Sequence, residues 1–111
     1  MQGVSSAIGV NEKIERIEME KETRSALKKL AEKRRRIDLL DQKLLTLLNQ
    51  RLRVALEIGK IKKGIGKEIY DPRREKKVLE KLKLRNRDPL KEQDLIKIFR
   101  TIMKVCRQSQ A

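Results

Sequence analysis

Apolar residues recur with the spacing of one helix face through the middle of the chain. Leu27, Leu30, Ile37, Leu40, Leu44, Leu47, Leu48, Leu52, Ala55, Ile58 and Ile61 hold this period, and no Pro interrupts it before Gly64-Ile65-Gly66. A helix of about 36 residues is roughly 54 Å long, well beyond the diameter of a domain of this size. Such a helix needs a partner surface, either in another chain or in later helices folded along it. Two shorter elements follow. Asp71-Pro72 supplies an N-cap carboxylate and a Pro at the first helical position, and predicts a helix to about Arg85 with Val78, Leu79 and Leu82 as its stripe. Asp88-Pro89 repeats the signal and predicts a third helix from Leu90 to about Gln110, with Leu95, Ile98, Phe99, Ile102 and Cys106 on its apolar face. No segment alternates with the two-residue period of a half-buried strand. The expected fold is all-α, with one long, one short and one medium helix per chain.

Upstream the pattern weakens. Met1 to Val10 is small, polar and Gly-containing, and we expect it to lack order. Asn11 to Ser25 alternates charges around Ile14, Ile17 and Met19, a solvated helix with little to bury. Residues 1–25 therefore read as a partly disordered N-terminal extension, and 26–111 as the folded domain.

Charge changes the picture. The chain carries 30 Lys and Arg against 16 Asp and Glu, a net charge of +14, which calls for an anionic partner: nucleic acid, an acidic membrane surface or a small polyanion. Residues Met1 to Lys33 hold 7 basic and 6 acidic side chains and Arg34 to Ala111 hold 23 and 10, so the excess belongs to the helical domain rather than to a basic arm. Tyr70 and Phe99 are the only aromatic residues, a poor platform for stacking bases. With no His and one Cys, a conventional zinc site, a His-based triad and an intrachain disulfide are excluded. No apolar run approaches a membrane span or a signal-peptide core, so we expect a soluble, cytoplasmic protein.

Stepping along the long helix by alternating threes and fours gives the seam Leu27, Leu30, Arg34, Ile37, Asp41, Leu44, Leu48, Arg51, Ala55, Ile58, Lys62. Seven positions are apolar and four are charged. The long cationic side chains can snorkel, or Asp41 can pair with one Arg. Alternatively, the compensating anion is a ligand, a reading that three cations on one seam favour. Arg34 and Arg51 are seventeen residues apart, roughly 25 Å along one helix, too far to grip one small molecule. Two antiparallel copies crossing near Gln42 and Lys43 would set Arg34 of one chain beside Arg51 of the other, giving two equivalent sites.

Other polar residues stand out less. One more turn of the third helix beyond Cys106 reaches Gln110, an amide closing an apolar face, although taken alone a frayed C-terminus is the simpler explanation. Glu75 in the first turns of the second helix suits the macrodipole. Asp71 reads foremost as a cap.

Taken in order, Arg34-Arg35-Arg36-Ile37-Asp38-Leu39-Leu40-Asp41, Leu44-Leu45, Arg51, Gly59-Lys60-Ile61-Lys62 and Asp71-Pro72-Arg73-Arg74-Glu75 resemble the all-helical (type II) chorismate mutases. The resemblance covers about Leu27 to Gln110. The steps of nine residues from Lys62 to Asp71 and eleven from Phe99 to Gln110 match the family's spacing. It implies an intertwined helical homodimer that converts chorismate to prephenate, in phenylalanine and tyrosine biosynthesis, without cofactor or metal. By position, Arg34 of the partner chain would bind one substrate carboxylate and Arg51 the other. Lys62 would contact the ether oxygen with a carboxylate in reach, and Gln110 would donate to the same oxygen. Glu75 would accept from the ring hydroxyl, and Asp71 would line the site mainly through its backbone. Cys106 stands where a small polar residue is expected, and a thiol is a poor donor.

Two rivals remain. An isochorismate pyruvate lyase on the same scaffold is the nearer one, though Glu75 suits the hydroxyl of chorismate better. The other is a basic helical protein binding nucleic acid or a partner helix. Inward-facing Arg34, Arg51 and Lys62 argue against it, because phosphate-binding residues face solvent.

Overall fold

A computed structural model describes the backbone of residues 2–111 and the side-chain environments from Gly9 onward. Three helices and no strand occur among the described residues: α1 (Gln2–Gly64), α2 (Pro72–Arg85) and α3 (Glu92–Gln110). The chain divides into two units, Met1–Lys43 and Leu44–Ala111. The first is α1 alone; the second combines the rest of α1 with α2 and α3.

The long helix ends where the glycines indicate. Gly66 adopts φ 67°, the left-handed conformation a side chain resists. The Lys67 amide then donates to the Lys62 carbonyl at 2.8 Å and the Gly66 amide to that of Lys63 at 3.3 Å, the paired bonds of a Schellman cap. At the other end α1 differs from expectation. The backbone of Gln2–Val10, expected to lack order, is helical, and Met1 lies outside the described residues. Propagating an existing helix costs far less than nucleating one, so a segment without Pro continues it through Gly3 and Gly9.

Helix α2 begins as the sequence indicates. The Asp71 carboxylate accepts from the Arg74 amide at 3.0 Å, and Pro72 occupies the first turn. This backbone hydrogen bond, with Lys62 and Lys67 nearby, holds the Asp71 carboxyl below the usual carboxylate range. The cap is therefore strongest above the ordinary carboxylate pKa and is lost as pH falls through the lowered folded-state value.

Helix α3 starts later than expected. Its N-cap is Lys91, without a side-chain cap, and Asp88-Pro89 belongs to the preceding turn. The Asn86 side chain donates to the Leu90 carbonyl at 2.8 Å and so closes that turn. A Pro pre-sets a turn as readily as a helix start, which is why Asp88-Pro89 does not open α3 as expected.

The core is small. Ala55, Leu95, Met103 and Cys106 are buried, together with Gly59. Met103 takes the place expected of Ile98, which is 48% exposed. These two residues flank the same stripe of α3 on opposite edges, and packing against α2 and the 44–64 part of α1 selects the Met103 edge. Much of the apolar face of α1 has no cover among the described residues: Leu27, Ile37, Leu40, Leu44 and Ile61 are all exposed. No helix among the described residues is long and apolar enough to cross a membrane.

Candidate active site

A cavity of about 520 Å³ opens within the second unit, between the C-terminal half of α1, the start of α2 and the end of α3. Of the residues singled out in the sequence, Arg51, Lys62, Asp71, Glu75, Cys106 and Gln110 all line it, and Arg34 does not. Leu47, Val54, Ile58, Ile69, Val78 and Met103 supply its apolar wall.

Arg51 is half-buried on α1, and its Nη1 donates to the Cys106 sulfur at 3.0 Å. The sulfur thus acts as an acceptor that orients Arg51. Because sulfur accepts weakly, the guanidinium keeps most of its capacity for an anion. One helix end along, the Lys62 ammonium donates to the Ile69 carbonyl at 2.8 Å. The same residue's backbone carbonyl anchors the Schellman cap, so the loop before α2 is tied to Lys62 twice.

Gln110 closes the cavity. Its Oε1 is buried and has no hydrogen-bond partner among the described residues. Leaving such an atom unpaired costs about 1–3 kcal/mol, so a polar group brought into the cavity gains by meeting this side chain. Amide oxygen and nitrogen have nearly the same size, so a half-turn of the group presents a donor at the same point. The frayed-terminus alternative does not describe this residue, which is helical and half-buried. Its position depends on Gly59, where a Cβ would lie 3.0 Å from Gln110 Cγ and 3.1 Å from its Cβ. A glycine in mid-helix, within Gly59-Lys60-Ile61-Lys62, is the sequence signal for this close approach.

Glu75 does more than complement the α2 dipole. Its Oε2 accepts from Arg107 Nε at 3.0 Å. Arg107 and Arg74 also line the cavity, and neither was singled out in the sequence. The signal for Arg107 was its place one turn after Met103 and three residues before Gln110, on the same side of α3. Four cations (Arg51, Lys62, Arg74, Arg107) and two carboxylates (Asp71, Glu75) surround the space. Both carboxylates are engaged, Asp71 by the Arg74 amide and Glu75 by Arg107. The remaining surplus of positive charge suits a small anion with two negative groups.

Residues 33–111 match the family model described as chorismate mutase type II. The chain is 37% identical over 78 residues to a chorismate mutase of Methanocaldococcus jannaschii, a match covering 69% of this chain and 79% of that protein. It is also similar to two proteins named bifunctional chorismate mutase/prephenate dehydratase. The Aquifex aeolicus protein is 33% identical over 84 residues, 72% of this chain and 23% of that one. The Pseudomonas aeruginosa protein is 37% identical over 78 residues, 66% and 21% of the two chains. The chain thus spans about a fifth of the length of these bifunctional relatives.

Proposed function

Because this chain belongs to the type II chorismate mutases, a family of isomerases, we propose that its cavity rearranges chorismate to prephenate, as a cytoplasmic homodimer with sites shared between chains. The observation that carries the reading is the convergence of Arg51, Lys62 and the amide of Gln110, its oxygen buried, on one apolar-walled cavity. Its volume falls within the range of small-molecule sites.

The chemistry suits these residues. A Claisen rearrangement forms one carbon–carbon bond as the ether carbon–oxygen bond breaks, and needs neither nucleophile nor proton transfer. The protein must hold the enolpyruvyl chain over the ring and stabilise negative charge growing on the ether oxygen. Arg51 would clamp one carboxylate and Arg34 of a second chain the other, which restricts the substrate to a reactive conformation. Lys62 and Gln110 would meet the ether oxygen as preorganised donors, while Glu75 would accept from the ring hydroxyl. Asp71 holds the start of α2 in place. The uncovered row Leu27, Ile37, Leu40 and Leu44 on α1 supports the dimer, since burying it needs another apolar surface.

Incubation of the protein with chorismate should yield prephenate, followed as loss of the chorismate chromophore. Release of pyruvate and salicylate from isochorismate, with chorismate left untouched, would replace this reading by the lyase.

Two further outcomes are expected. Gly59→Ala should lower kcat roughly ten-fold by displacing Gln110. Its melting temperature should stay within a few degrees of wild type, because Ala improves helix propensity by about 1 kcal/mol. We also assign the mutase domain to residues 26–111. Removal of residues 1–25 should leave kcat/KM within roughly a few-fold, since none of the segment's described residues lines the cavity. A collapse of activity in a shortened chain that still dimerises would show that the extension reaches the site.

A further inference from the structure

Glu75 sits in a cavity built for anions, and that placement raises a physical problem. A glutamate side chain has several rotamers, and Arg51, Lys62 and Arg74 line the same space. Swung toward any of them, it would occupy a cation intended for a substrate carboxylate. Arg107 removes that freedom. Its Nε donates to Oε2 at 3.0 Å, which leaves the second carboxylate oxygen for a ligand. Arg107 is itself held by the ring of Tyr70, its guanidinium carbon lying 4.3 Å from the ring centroid. The pair is only partly exposed, at 30% and 23% for the two side chains, so solvent does not fully screen it. Tyr70 comes from the loop before α2, Glu75 from the first turns of α2, and Arg107 from the last turns of α3. Three separate elements thus fix one carboxylate.

We infer that Arg107 is a positioning residue for Glu75: with Tyr70 behind it, it aims one carboxylate oxygen at the substrate's ring hydroxyl and keeps the charge off the carboxylate-binding cations. This rests on the mutase reading above. Its consequence is specific, because Arg107 acts only through Glu75 and makes no direct contribution to substrate binding.

A double-variant cycle on chorismate turnover tests it. Arg107→Leu, which keeps the apolar stem and removes the charge, should raise KM and lower kcat/KM by about 10- to 100-fold, the cost of a misplaced contact. In a Glu75→Gln background, the same substitution should change kcat/KM by less than about two-fold, because no loose carboxylate remains. Arg107→Lys, which restores a charge without the planar fork, should recover part of the loss. It also serves in the same cycle if Arg107→Leu unfolds by circular dichroism. An equal loss in both backgrounds would mean that Arg107 binds substrate directly, and would overturn the inference; so would wild-type kinetics for a folded Arg107→Leu. Absence of turnover in the wild-type chain itself would instead sink the mutase reading, and this inference with it.

Discussion

Arg34→Ala and Arg51→Ala are each expected to reduce kcat/KM by about 10²–10⁴-fold while leaving the helical circular dichroism unchanged. The magnitude follows from stripping one substrate carboxylate of its cation, a loss of roughly 3–5 kcal/mol for a desolvated pair. Fold should survive, since Arg34 is exposed and the side-chain hydrogen bond of Arg51 goes to a weak sulfur acceptor. The mixture of the two inactive proteins is the informative sample. Arg51 lines the cavity and Arg34 does not, so the proposed site needs Arg34 from a second chain. After random subunit exchange, half of the dimers are mixed, and each mixed dimer unites an intact Arg34 with an intact Arg51 at one of its two sites. Turnover should therefore return to about a quarter of the wild-type value. Exchange verified by a mass-tagged subunit, with no recovery of turnover, would sink the shared-site model.

The second large effect belongs to Gln110, next to the last residue of the sequence. An amide meeting an ether oxygen that becomes more negative in the transition state contributes more there than in the ground state. Its removal should act on kcat more than on KM. Loss of one preorganised donor of this kind costs about 10²–10³ in rate, and Gln110→Ala and truncation after Gln108 should both show it. Gln110→Glu separates electrostatics from packing. A carboxylate repels the growing charge at about pH 8, but its protonated form donates, so activity should rise as pH falls toward about 5. Wild-type kcat in Gln110→Ala would show that the buried amide beside Gly59 does not face the reacting ether.

Sequence alone determined the parts of this protein that depend on neighbours along the chain. The span of α2 follows from Asp71-Pro72, whose carboxylate caps the Arg74 amide three residues on. The end of α1 follows from Gly66, because one left-handed residue suffices to close a Schellman cap. The 3.6-residue period also placed Arg51 and Lys62 on one face of α1, and Gln110 on the same side of α3 as Cys106, and all four line the cavity.

Tertiary structure decided what depends on which faces meet. The choice of Met103 over Ile98 as core turns on a small rotation of α3 about its axis, to which periodicity is nearly blind. The start of α3 at Glu92 rather than Leu90 turns on the Asn86 side chain reaching Leu90, a local competition between turn and helix. The need for a glycine at position 59 exists only because Gln110 packs against it from another helix. Among so many cations, sequence gives no means of telling which one meets Glu75. Thirty-two residues separate Glu75 from Arg107, and only the packing of α2 against α3 brings the guanidinium to the carboxylate and its face to Tyr70.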